Sequence, residues 1–293
     1  MLALVKQTKG DWHRTADVIE SARSALRIVT GSWTGFEPAE VTESLLVGSV
    51  PERELGRYEE MIEEYELRGI HLVTILDETY PSNLRLVYNR PPFLWVRGTL
   101  LSSDDRSIAV VGTRRASSEG LEQARSLAEQ LAERSVAVLS GLALGIDGAA
   151  HEGALAVGGR TVAVMGTGIN TIYPAQHAEL SERIVESGGA LVSQFWPDAP
   201  PTRWSFPMRN VVMSGMGVGT VVIEASKTSG AKMQARLALD HGKRLFLVNT
   251  LVMREQWAQR YAEHPGATVI ESVDDVVDVL AALAQPVEQL ALG

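Results

Sequence analysis

The sequence predicts an α/β fold: a doubly wound, mostly parallel Rossmann-like sheet with a small helical N-terminal domain. Three observations predict it. From residue 106 onward, short apolar runs (SIAVVGT, VAVLSG, TVAVMG, ALVSQ, GTVVIEA, RLFLVN) recur along the chain. They are apolar almost throughout, as strands buried on both faces of a parallel sheet must be. Between them lie small-residue turns and amphipathic stretches at helical spacing, the alternation of β-α units.

The elements follow in order. Residues 11–68 read as helical, with helical spacing of apolar residues in DWHRTADVIESARSALRIV and PERELGRYEEMIEEYELRG; EEMIEEYE is a solvated acidic face. Residues 69–105 read as a connector. Its strands HLVTIL and FLWVRG bracket a Tyr-Pro turn and a Pro-Pro segment, and LLSSDDR closes it as a polar link. Residues 106–293 carry the sheet, with helices expected near 118–134, 146–157, 178–187, 208–216, 231–241 and 273–283. An irregular Pro- and Trp-rich stretch follows ALVSQ. Sheets of this kind take ligands beyond the C-terminal strand ends, where the strand order reverses.

Composition narrows the function. Among 293 residues, 45% are hydrophobic and 22% charged, and no apolar run approaches the roughly 20 residues that span a bilayer, so no membrane role is expected. The start MLALVKQTKGDWHR does not read as a secretory signal. The absence of cysteine excludes disulfides, thiolate metal sites and a cysteine nucleophile, and fits a reducing cytoplasm. A net charge of −9 argues against coating nucleic acid by bulk charge. The acidity is uneven: residues 1–105 hold 17 acidic and 11 basic side chains, residues 106–293 hold 19 and 16. The larger part is therefore free to carry a cationic face.

Several turns suit an anion. GTRRASSEG follows the first strand of the sheet: Gly112 permits a tight turn with Thr113, and Arg114 and Arg115 add charge at a helix N-terminus. No GxGxxG fingerprint is present, which disfavours NAD or FAD, and no cofactor is expected. In SGLALGIDGAAH, Gly141 and Gly145 let the backbone approach a ligand or a neighbouring helix, and Ser140 can offer a hydroxyl. Asp147 and His151 lie four apart on one helical face. Two ligands make a poor metal site, so Asp147 is expected to orient the loop and His151 to pair with it or pack near the sheet. MGTGINTIYP repeats the logic with Gly166 and Gly168, and Tyr173 is either a stacking residue or part of a rigid helix lead-in. PPTRWSFPMRN places Arg203, Trp204, Arg209 and Asn210 together, a guanidinium and an amide beside an aromatic. SKTSGAK makes a further anion-receptive turn from Lys227, Ser229, Gly230 and Lys232.

VVGTRRASSEG, SGLALGIDGAAH, GTGINTIYP, FPMRN and VIEASKTSGA, in this order and spacing, resemble the DNA-processing protein A family (DprA, also called Smf). LDETYPSNL and RPPFLWVRGTL resemble its connector, so the resemblance covers roughly residues 68–250. It implies an extended Rossmann-like domain that binds single-stranded DNA, forms homodimers and helps load a RecA-type recombinase during natural transformation, with no catalytic step. Arg114 matches the family's strand-end arginine that contacts DNA. Arg209 and Asn210 match the first two residues of its Arg-Asn-Arg run, and Gly112, Gly141, Gly145, Gly166 and Gly168 match its loop glycines. The departures are Leu144, Ala175, Val211 and Ser226, which stand where the family usually carries cations. Losing them should flatten the salt dependence of binding, at about 0.7 in slope per phosphate on a single strand.

Two other readings stay open. MGVGTVVIE looks like the PGGxGTxxE loop of nucleotide phosphoribohydrolases of the LOG type, with Glu224 one residue late; a nucleotide-binding sensor is the related possibility. An assembly protein that kept the fold and lost the ligand is the third.

Overall fold

The computed structural model describes residues 1–8, 11–30 and 50–283. The helical expectation over residues 31–49 lies outside them. Helices α1 (Leu2–Gln7), α2 (Trp12–Ala22), α3 (Ala25–Val29) and α4 (Glu52–Leu67) precede β1 (Ile70–Thr74), the short α5 (Ser82–Arg85) and β2 (Phe93–Gly98). The alternating part runs β3 (Ser107–Val111), α6 (Ser118–Glu133), β4 (Ala137–Ser140), α7 (Ile146–Ala156), β5 (Thr161–Val164), α8 (Ala178–Glu186) and β6 (Ala190–Ser193). It continues through α9 (Ser205–Met216), β7 (Gly219–Val222), α10 (Gly230–Asp240), β8 (Arg244–Val248), α11 (Asn249–Arg254), α12 (Gln256–Ala262), β9 (Ala267–Ile270) and α13 (Val273–Leu283).

All nine strands form one sheet in the order β1-β2-β6-β5-β4-β3-β7-β8-β9. The seven from β6 to β9 are parallel, and β1 and β2 are antiparallel additions at one edge. The fold class is the expected one, and its physical cause is visible in β3 to β7, where every residue is buried. The chain steps outward from β3 to β6, then returns past β3 to lay down β7. The strand order therefore reverses between β3 and β7, and the loops that follow these two strands open a crevice.

The connector strands extend the main sheet. Phe93, Leu94, Trp95 and Val96 are all buried, and Trp95 registers with Ser193 of β6. Helix α4 packs on this edge through Tyr65, whose ring meets Trp95 edge-on at 5.3 Å. LLSSDDR is pinned as well. Asp104 is buried and ion-paired with Arg160, which also donates to the Thr99 carbonyl at 2.7 Å. The expectation of a polar link did not include this pair, because a buried aspartate looks like an exposed one in sequence. Strand β9 and helices α11 and α12 were not expected either. β9 is a four-residue strand at the sheet edge, only partly buried.

Candidate nucleic-acid interface

The loops after β3, β4 and β7 meet at the reversal point. The Thr113 amide donates to the Glu224 carbonyl at 2.6 Å, and the Ile146 amide donates to the Thr113 carbonyl at 3.3 Å. Gly145 has φ of 80°, and a β-carbon there would strike the Thr113 carbonyl. Its freedom therefore serves the packing of one loop on another. Ser140 does not offer its hydroxyl to a ligand: it is fully buried and donates to the Val110 carbonyl at 2.7 Å. A strand-end hydroxyl beside a bare carbonyl satisfies it first.

Arg209 lies beneath the cleft. It is 6% exposed, its Nη1 donates to the Val164 carbonyl at 2.9 Å, and it sits 4.0 Å from the Asp147 carboxylate. Asp147 accepts the Gly141 amide at 3.1 Å, which ties the loop after β4 to α7. Burial raises the Asp147 carboxyl above its ordinary range, opposed by Arg209 and by the amides of Ala143 and Gly141. Burial likewise lowers the Arg209 guanidinium, opposed by Asp147. Asp147 thus orients the loop, and of the two expectations for His151 the structure shows packing at the sheet, not a pair with Asp147. His151 is fully buried with Nδ1 2.7 Å from Thr161 Oγ1, and Thr161 already donates to the Val138 carbonyl. The imidazole must therefore donate through Nδ1–H, and burial, with His177 and Arg209 nearby, pushes its pKa down to about 3.

Above this floor the wall is cationic and aromatic. Arg114 is exposed, and its guanidinium carbon lies 4.8 Å from the centre of the Phe206 ring. Tyr173, 42% exposed, lies 5.7 Å from the same ring. Leu144 and Pro174 complete a small apolar niche with these three. The main cleft, about 340 Å³, is lined by Gly112 to Arg115, Phe206, Arg209, Asn210, Met213, Ser226, Ser229, Gly230 and Met233, among others. The structure thus gathers Gly112, Thr113, Arg114, Arg115, Arg209, Asn210, Ser229 and Gly230 around one cleft, with Gly141 and Tyr173 at the adjoining niche.

Other expected residues fall elsewhere. Gly166 abuts the Cδ1–Cε1 side of the Phe206 ring, and Gly168 packs on the carbonyls of Trp196 and Pro197. Arg203 stacks on the exposed Trp204 at 4.9 Å, but neither lines the cleft. Lys227 and Lys232 flank the turn before α10 without lining it. Of the positions without cations, Leu144 and Ala175 are exposed and Val211 is partly buried. Phe206 was not singled out from sequence, although FPMRN places it one helical turn before Asn210 and so on the same face.

Glu224 is held at a helix start. Its Oε2 accepts the Ser117 amide at 3.0 Å and the Ser117 hydroxyl at 2.8 Å, at the N-terminus of α6. Among the described residues no group of three or more His, Asp or Glu side chains is arranged to hold a metal, and no helix is long and apolar enough to cross a membrane.

The family model for DNA recombination-mediator protein A matches residues 71–281. The chain belongs to this family. Protein Smf of Escherichia coli (strain K12) is 44% identical over 176 residues, a match covering 60% of this chain and 47% of that protein, so the chain spans about half that relative's length. The DNA processing protein DprA of Bacillus subtilis (strain 168) is 31% identical over 223 residues, covering 74% of this chain and 73% of that protein. The crystal structure of DprA from Streptococcus pneumoniae superposes with a TM-score of 0.73 at 26% identity, over 94% of this chain and 96% of that one. DNA processing protein A from Helicobacter pylori shares the fold at a TM-score of 0.63 and 24% identity, over 73% of this chain and 97% of that one. Within the family, the cleft at the β3/β7 reversal is the place where this chain's own side chains converge.

Proposed function

We propose that this chain binds single-stranded DNA in the cleft between the loops after β3 and β7, and that as a cytoplasmic homodimer it helps load a RecA-type recombinase onto that strand. The observation that carries the binding is the exposed guanidinium of Arg114 held over Phe206, with Tyr173 beside the ring. A backbone phosphate needs a cation it can reach from solvent, which Arg114 offers, and an unpaired base needs an aromatic face, which the exposed Tyr173 ring beside it offers. Arg115 and the turn Ser229-Gly230 at the start of α10 extend the anion-receptive surface along the cleft. The structure described for the H. pylori protein concerns a single-stranded DNA binding mode, and the family's name is that of a recombination mediator; both support the reading.

No catalytic step is proposed. Glu224, the carboxylate a phosphoribohydrolase would need, is engaged by the main chain and side chain of Ser117. Without bulk positive charge, binding rests on few cations, so its salt dependence should be shallow. The test is fluorescence anisotropy of labelled oligo-dT and of the matching duplex over a salt series, with wild type and Arg114→Ala. Preference for the single strand, with affinity about tenfold lower and a slope reduced by about 0.7 in the variant, supports the reading. No single-strand binding at low salt overturns it. Sedimentation of the free chain, and recombinase assembly on oligo-dT with and without it, test the homodimer and the loading.

A further inference from the structure

Tyr173 stands on a segment, residues 165–174, that forms neither helix nor strand, and Phe206 follows a second such segment, residues 194–204. The main chain pairs the two. The Gly168 amide donates to the Ala199 carbonyl and the Asn170 amide to the Pro197 carbonyl, both at 2.9 Å. Helix α4 of the N-terminal domain grips both segments from outside the cleft. Tyr58 stacks on Trp196 with ring centres 6.0 Å apart, and the Tyr65 hydroxyl donates to the Asp198 carboxylate at 3.3 Å. Asn170 closes the clasp. Its amide nitrogen donates to the Asp198 carboxylate at 2.7 Å and to the Tyr65 hydroxyl at 3.1 Å, and its side-chain carbonyl accepts from Arg68 at 3.2 Å. Arg68, just past the end of α4, lies 5.1 Å from the centre of the Tyr65 ring.

Apolar packing alone would hold α4 on the sheet, since Tyr65 is buried in one cluster with Trp95 and Ile169. Such contacts allow sliding. A polar network whose donors and acceptors are all engaged allows one arrangement only. The Asn170 carboxamide is in that state, and Tyr173 lies three residues further along the same segment. Resting on the reading above, we propose that the N-terminal helical domain positions Tyr173 for stacking on a base, through Asn170 held between Tyr65, Arg68 and Asp198. Asn170 lines neither the cleft nor the niche, so it acts as a positioning residue. A binding side chain on a loop is only as well placed as the shell of residues behind it.

The experiment is a double-mutant cycle between Asn170→Ala and Tyr173→Ala, after checking that each variant melts cooperatively. Anisotropy is measured with oligo-dT and with an abasic oligonucleotide of the same length, over a salt series. Tyr65→Phe keeps the ring on Trp95 and removes only the hydroxyl, so it carries the same test should Asn170→Ala fail to fold.

Tyr173→Ala should weaken oligo-dT binding about tenfold. Asn170→Ala should weaken it about fivefold and Tyr65→Phe about twofold, each with the salt slope of wild type, because no phosphate contact is lost. Neither clasp variant should cost anything further in the Tyr173→Ala background, and neither should change binding of the abasic strand. A merely structural asparagine predicts the opposite, the same loss in both backgrounds and on both strands. The inference is overturned by that pattern, or if Tyr173→Ala or both clasp variants bind oligo-dT like wild type while Arg114→Ala still weakens binding. Absence of any single-strand binding by wild type would instead remove the proposed function, and this inference with it.

Discussion

The guanidinium of Arg209 lies against Gly141 so closely that a β-carbon at Gly141 would overlap it. With Asp147 accepting the Gly141 amide, a cation, an anion and a loop backbone are buried as one unit under the cleft. Gly141→Ala must push the guanidinium away from this unit. Overpacking alone costs about 1–3 kcal/mol, and disturbing the buried pair adds to it. Urea unfolding should show a lower midpoint at unchanged m, with at least about 2 kcal/mol lost; a variant as stable as wild type would mean the contact is easily relaxed.

Arg209 and Arg114 should separate by phenotype. Arg209→Ala strands a buried carboxylate and should cost about 3–5 kcal/mol. Arg114 is exposed, so Arg114→Ala should stay within about 0.5 kcal/mol of wild type in stability while losing oligo-dT affinity. Parallel chemical denaturation and anisotropy decide it, and equal stability losses in the two variants would contradict the assignment of floor and wall.

The resemblance carried both arginines forward as equals, and only the fold distinguishes them. Burial on both strand faces made β3 to β8 legible, because continuous apolar runs admit few alternatives. The convergence of GTRR, FPMRN and SKTSG was legible as chemistry, since cations and small residues at strand ends have few packing roles. What sequence could not carry was direction. Ser140 points into the sheet, Gly145 meets another loop and Glu224 turns onto Ser117. Each choice depends on which polar group of a distant segment happens to need a partner. Phe206 is not legible because an aromatic near a helix start is most often core, and its ring partners, Tyr173 and Arg114, come from other loops.

Glu224→Gln should behave as a cap variant. The carboxylate receives two donors at the positive end of a 16-residue helix, and neutralising it weakens both. A loss of about 0.5–2 kcal/mol is expected, with oligo-dT affinity kept. Adenosine monophosphate should survive prolonged incubation with wild type; release of adenine that disappears in Glu224→Gln would restore the hydrolase reading.

Acid should destabilise the fold through its buried histidines. The His151 pKa is pushed down to about 3 by burial, whereas in the unfolded chain it is about 6.5. Between these values the unfolded state binds a proton that the native state refuses, so stability falls as pH falls through the window, by about 1.4 kcal/mol per pH unit. His241, held between Ser214 and Asn89 and lowered to about 4 by burial with Lys243 nearby, acts in the same direction. Above pH 6.5 both rings are neutral in both states and the effect vanishes. His151→Gln will be less stable than wild type at pH 7.5, since the bond to Thr161 and its packing change. Its further loss between pH 7.5 and 5 should nevertheless be about 2 kcal/mol smaller than that of wild type. Urea unfolding at the two pH values measures this, and equal losses would show that His151 is not held neutral by its burial against Thr161.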